Sequence, residues 1–163
     1  MKILAKAIRW TSLISFPVFL LTIPNHAALA GDIGSCAESL IVDGVSKSAA
    51  AIACADALQP NDLSSCVADI KESTNIKGED ALQACYRVRR PDELANCVID
   101  LSSGLAAEKS TMALDNCRRS LLPDRYAECT LDLTETAQIP PEEAMKSCIA
   151  AEFYPSKQDP ETK

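Results

Sequence analysis

Eight cysteines stand on two interleaved ladders. Cys36, Cys66, Cys97 and Cys129 follow one another at intervals of 30, 31 and 32 residues, and Cys54, Cys85, Cys117 and Cys148 at 31, 32 and 31. Such regularity constrains the fold more than any single residue does. It requires one short unit copied about four times, so that each copy buries its apolar face against the next.

Superposing the ladders yields the unit A-L-x-x-C-x5-P-D-x-L-x-x-C-x-x-D-L. The clearest copy runs through Ala81, Leu82, Cys85, Pro91, Asp92, Leu94, Cys97, Asp100 and Leu101. The next runs through Ala113, Leu114, Cys117, Pro123, Asp124, Tyr126, Cys129, Asp132 and Leu133, and the first is looser around Cys54, Pro60, Asp62, Leu63 and Cys66. Half copies open the array at Cys36 and close it at Cys148. The period is near that of tetratricopeptide repeats. Their tryptophan–glycine–tyrosine pattern is absent, however, and the proline falls between the paired helices, so no family resemblance is drawn.

Each unit reads as two helices. Alanine-rich stretches ahead of Pro60, Pro91 and Pro123 favour helix. The proline ends that helix and, with the aspartate behind it, suits the first turn of the next. The second helices are expected to stop near Ser73, Ser103 and Thr136. The acidic residues Glu79-Asp80, Glu108 and Glu142-Glu143 are expected to open the following ones. In the second helix, positions −3, 0, +1 and +4 from the cysteine are apolar (Leu94, Cys97, Val98 and Leu101), which is the stripe of an amphipathic helix. Ala68, Ile99 and Leu131 at +2 widen it, so the helix needs neighbours on two sides. The predicted fold class is all-α: an array of about four disulfide-stapled two-helix repeats of 30–32 residues, either α-solenoid-like or a compact multi-helix bundle.

The chain divides into a leader at 1–30, a cysteine-rich helical repeat domain at 31–154 and a polar tail at 155–163. Lys2, Lys6 and Arg9 precede an apolar run from Leu13 to Ile23, and Ala28-Leu29-Ala30 offers a small-x-small site, so a signal peptide cleaved after Ala30 is expected. The run is too short to span a bilayer, which needs about 20 apolar residues. Ile33-Gly34-Ser35-Cys36 has the outline of a lipoprotein box, but Gly31 and Asp32 separate it from the apolar run. Cleavage removes the single histidine, His26, and moves the net charge from −7 to −10 over the remaining 133 residues. That charge opposes nucleic acid and anionic membrane surfaces. The expected location is periplasmic or secreted.

In an oxidising compartment, eight cysteines read as four disulfides. The favoured pairing is 36–54, 66–85, 97–117 and 129–148, because it uses every cysteine in equivalent hairpins. Pairing across the proline turns also matches heights on antiparallel helices, but it strands Cys36 and Cys148. Zinc and thiolate clusters need ligands closer together than these, so no metal and no cofactor are expected.

Without histidine the mature chain lacks the usual base and metal ligand, leaving only carboxylate chemistry for catalysis. Asp69, Asp100 and Asp132 recur once per unit, as a solvated stripe beside the buried face. Arg87, Arg89 and Arg90 follow Cys85, and Arg118 and Arg119 follow Cys117, forming a candidate partner-binding patch. The competing expectation is that these cations sit in last helical turns and complement the helix dipole. Phe153 and Tyr154 are expected to cap the last repeat. Together these features point to an exported, non-enzymatic protein-binding or structural module, with a small secreted inhibitor, toxin or effector as the alternative and a carboxylate enzyme behind both.

Overall fold

A computed structural model describes residues 27–153. Most of the expected leader and the polar tail lie outside the described residues, while the first helix as described begins at Ala27, ahead of the cleavage site expected after Ala30. Eight α-helices occur among the described residues, with no strand. They are α1 (Ala27–Val42), α2 (Lys47–Asp56), α3 (Pro60–Ser73), α4 (Gly78–Cys85), α5 (Pro91–Gly104), α6 (Ser110–Arg119), α7 (Pro123–Glu135) and α8 (Pro141–Phe153).

Proline sets the start of α3, α5 and α7. The preceding residues, Gln59, Arg90 and Leu122, hold ψ near 80° (84°, 79° and 76°), outside the helical region. The proline then occupies the first helical position, where its missing N–H deprives the helix of nothing. One expected start is displaced: Glu108 lies in a 3-10 turn, Ala107–Lys109, and α6 begins at Ser110.

The buried stripe packs as its spacing requires. Leu94, Cys97, Val98 and Leu101 of α5 are buried, as are Leu63, Cys66, Val67 and Ile70 of α3, whereas Ile99 and Ala68 are half-buried. Burying a leucine fully contributes about 1.5–3 kcal/mol, so these stripes supply most of the cohesion. In α7 the large apolar position holds Tyr126, which is 1% exposed, and its hydroxyl donates to the Met145 carbonyl at 3.4 Å. Burial drives the Tyr126 pKa up to about 12, with the Thr130 and Asn116 side chains opposing the shift.

The helices form a compact bundle laid out as a row. α1, α3, α5 and α7 pack side by side in sequence order, and α2, α4, α6 and α8 each lie against the helix preceding them, forming a second layer. Disulfides join Cys36 to Cys54, Cys66 to Cys85, Cys97 to Cys117 and Cys129 to Cys148, with Cα–Cα distances of 5.9, 6.1, 5.9 and 6.0 Å. Each bridge closes a hairpin (α1–α2, α3–α4, α5–α6 or α7–α8) and stabilises it by up to about 3 kcal/mol through the unfolded chain. Cys129 is half-buried while its seven counterparts are buried. Of the two aromatics expected to cap the last repeat, Phe153 is 47% exposed and Tyr154 lies outside the described residues.

At the hairpin turns the row is tied by close backbone packing. A Cβ added at Gly78 would lie 2.1 Å from the Asp43 carbonyl oxygen, so only glycine permits this approach of α4 to the turn after α1. Lys71 bridges to Asp43 at 3.3 Å, and the Ser46 N–H donates to Glu79 at 3.2 Å, at the same edge.

Candidate functional site

The opposite edge carries the proline loops, and with them the five arginines. Cys85 and Pro91 are separated by five residues, as are Cys54–Pro60 and Cys117–Pro123. Nevertheless α2 and α6 run two residues past their cysteines, to Asp56 and Arg119, whereas α4 stops at Cys85. Tyr86 is already extended and Arg87 adopts φ 60°, a conformation uncommon outside glycine. Arg87, Arg89 and Arg90 therefore lie in a loop beyond α4. Of the five, only Arg118 and Arg119 occupy a last helical turn, where they complement the negative end of α6.

What holds Arg87 in that conformation lies 31 residues earlier. Its Nε and Nη2 donate to Asp56 Oδ2 at 3.0 and 2.7 Å, and the Tyr86 hydroxyl donates to the same oxygen. The guanidinium also stands 5.1 Å from the centre of the Tyr86 ring. The Tyr86 hydroxyl, and then Arg87, hold the Asp56 carboxyl below its ordinary pKa, while the bond to Asp56 raises those of Tyr86 and Arg87. All three groups are exposed to solvent or nearly so, so the cluster is a clasp on the surface rather than a buried charge network.

The remaining arginines are committed to different extents. Arg90 Nη1 forks onto Glu93 at 3.0 and 2.8 Å, and its Nη2 donates to the Leu121 carbonyl at 2.8 Å, linking this loop to the next. Arg118 and Arg119 share one carboxylate, Asp115, over longer contacts of 3.3 and 3.5 Å. Arg89 is exposed and has no hydrogen-bond partner among the described residues. The third loop is pinned from the far side. The Ser120 hydroxyl and the Leu121 N–H donate to the two carboxylate oxygens of Glu152, at 2.6 and 2.7 Å.

These loops enclose two adjoining grooves. The smaller, about 280 Å³, is lined by Arg87, Arg89, Arg90, Arg118 and Arg119 together with apolar atoms of Leu94, Leu121 and Pro123. The larger, about 580 Å³, lies on the other side of the 86–90 loop and is lined by Asp56, Leu58, Asp62, Leu63, Tyr86 and Pro91 among others. Arg87, Val88 and Arg89 form a wall common to both. No carboxylate lines the smaller groove. Its lining donors suit an anion, and Arg89, together with Arg118 and Arg119 in their longer contacts to Asp115, retains the donor capacity to bind one.

An acidic ridge borders this basic groove. Asp124, next to Pro123, has its pKa raised by partial burial and then by Glu93, Asp92, Asp100 and Glu128. Asp69, Asp100 and Asp132 are exposed along α3, α5 and α7, and Asp100 lies more than two turns beyond Pro91. Among the described residues, no group of three or more histidine, cysteine, aspartate or glutamate side chains is placed to hold a metal ion.

Cluster counting located the arginines but missed Asp56, Tyr86, Leu58 and Glu152. A signal was present in the repeat columns. Two residues past each first-helix cysteine stand Asp56, Arg87, Arg119 and Ala150. Adjacent units bring that column into register, so an acid opposite a base forms a pair and a base opposite a base does not. Arg119 has Arg87 as its neighbour in the column and turns to Asp115 on its own helix. The smaller groove is basic for this reason. Comparison with protein-family models, curated proteins and solved structures returns no match for this chain.

Proposed function

We propose that this chain is an exported, non-enzymatic helical repeat protein whose arginine-lined groove docks an acidic segment of a protein partner. The observation that carries the reading is the convergence on one groove of five arginines, three from the loop after α4 and two from the last turn of α6, in a chain whose net charge is −7. Random placement of cations on so acidic a surface would disperse them. Here two short arginine runs, 87–90 and 118–119, meet on one groove because Arg87 and Arg119 share a column of the repeat. Arginine is also the cation best suited to a carboxylate, through its planar fork of donors. Export is supported by the four disulfides, which persist in oxidising compartments, and by the leader pattern. A binding role is favoured over catalysis because no histidine occurs after His26.

The test is direct. The oxidised protein is titrated into a labelled hexaglutamate peptide, with a hexalysine peptide as control, and anisotropy is recorded. Binding of the acidic peptide alone is expected, weakening with added salt as exposed charges are screened. The double reversal Arg89→Glu/Arg118→Glu is expected to reduce affinity by at least about tenfold, or about 1.4 kcal/mol. Undiminished binding by that variant would exclude the groove as the site.

A further inference from the structure

The smaller groove does not stand alone, and its neighbour differs in character. In the larger groove Asp56 is paired with Arg87 and accepts a bond from the Tyr86 hydroxyl, and Leu58, Leu63, Val88 and Pro91 provide an apolar lining. Leu58 is 99% exposed, the most exposed large apolar side chain among the described residues. Four residues past the first-helix cysteines, the column reads Leu58, Arg89, Leu121 and Glu152. An apolar side chain of the larger groove and a cationic one of the wall it shares with the smaller thus stand at equivalent points on consecutive units.

We infer that the two grooves act as one composite site for an extended acidic segment bearing a large apolar side chain, which enters the larger groove while a carboxylate enters the smaller. This inference rests on the docking reading above and specifies its ligand. Charge complementarity orients the segment, because the smaller groove is lined by arginines without a carboxylate and the larger retains Asp62. The spacing follows from the repeat. Consecutive units advance by the spacing of the packed row helices α1, α3 and α5, about 8–10 Å, and an extended chain rises about 3.3 Å per residue. The apolar residue and the acid therefore lie about three residues apart. The Leu58 side chain has the most exposed apolar surface to give up to such a contact.

Two labelled peptides test this, one with phenylalanine three residues from a glutamate pair and one with alanine in its place. The phenylalanine peptide is expected to bind the wild-type protein at least about tenfold more tightly. Leu58→Ser, a change on the surface, is expected to erase that difference while leaving the alanine peptide's affinity intact. Arg89→Glu is expected to weaken both peptides. Equal affinities for the two peptides, still dependent on Arg89, would overturn the composite site and leave the docking reading standing. Binding of neither peptide to the wild-type protein would overturn both.

Discussion

The second and third proline loops have the same number of residues between cysteine and proline, yet they solve the same connection differently. In the second, the helix ends at its cysteine and Arg87 takes up φ 60° to reach an acceptor on the preceding unit. In the third, the helix runs on to Arg119, which bonds Asp115 one turn back. Length and local propensity do not distinguish them. The residue facing each across the unit boundary does: Asp56 attracts Arg87, and Arg87 offers Arg119 nothing. In a repeat protein, the identity of a loop residue is therefore read against the neighbouring copy as well as against its own flanks.

The strongest way to break this comparison is to remove what both loops hang from. Replacing Cys97 and Cys117 with alanine releases α6, and with it the wall carrying Arg118 and Arg119. A loss of about 3 kcal/mol is expected, seen as a lower midpoint in denaturant unfolding, for a bridge closing about twenty residues. A midpoint unchanged from wild type would mean that the hairpin does not depend on its staple.

A finer test exchanges charges within the column. Arg87→Glu sets a carboxylate against Asp56 and removes the clasp, so its Tm is expected to fall below that of the wild type. Arg119→Glu sets a carboxylate near Arg87 but also at the negative end of α6, one turn from Asp115, and removes no contact between units. Its Tm is expected to fall less than that of Arg87→Glu. Equal losses in the two variants would show that the loops do not differ in the way described.

The smallest effect is in pH. Asp56 has a folded-state pKa below its ordinary value of 3.8, so its contribution is fully present above that pH and disappears as pH falls through the depressed value. Thermal scans of wild type and Asp56→Asn are therefore expected to differ at neutral pH and converge in acid. A gap that persists unchanged in acid would assign it to packing rather than to the carboxylate.

Much of the scaffold was legible because it depends on patterns that repeat. Proline starts, the buried stripe around Cys97 and the polar stripe carrying Asp100 follow from helix geometry alone. The candidate site was legible only as a list of arginines. The early end of α4 was hidden because Cys85–Pro91 and Cys117–Pro123 have identical spacing. The partner of Arg87 lies a full unit away, beyond the reach of any local signal. The 3-10 turn that holds Glu108 ahead of α6 likewise has no counterpart in the repeat pattern that would announce it.

Every disulfide lies within a hairpin and none joins one hairpin to the next. The covalent diagram is thus four closed rings on a string, with the proline loops as the bare lengths of string between them. Both grooves open on those lengths. What fixes their width is therefore the noncovalent packing of α1, α3, α5 and α7, since no sulfur bridge crosses from one ring to the next.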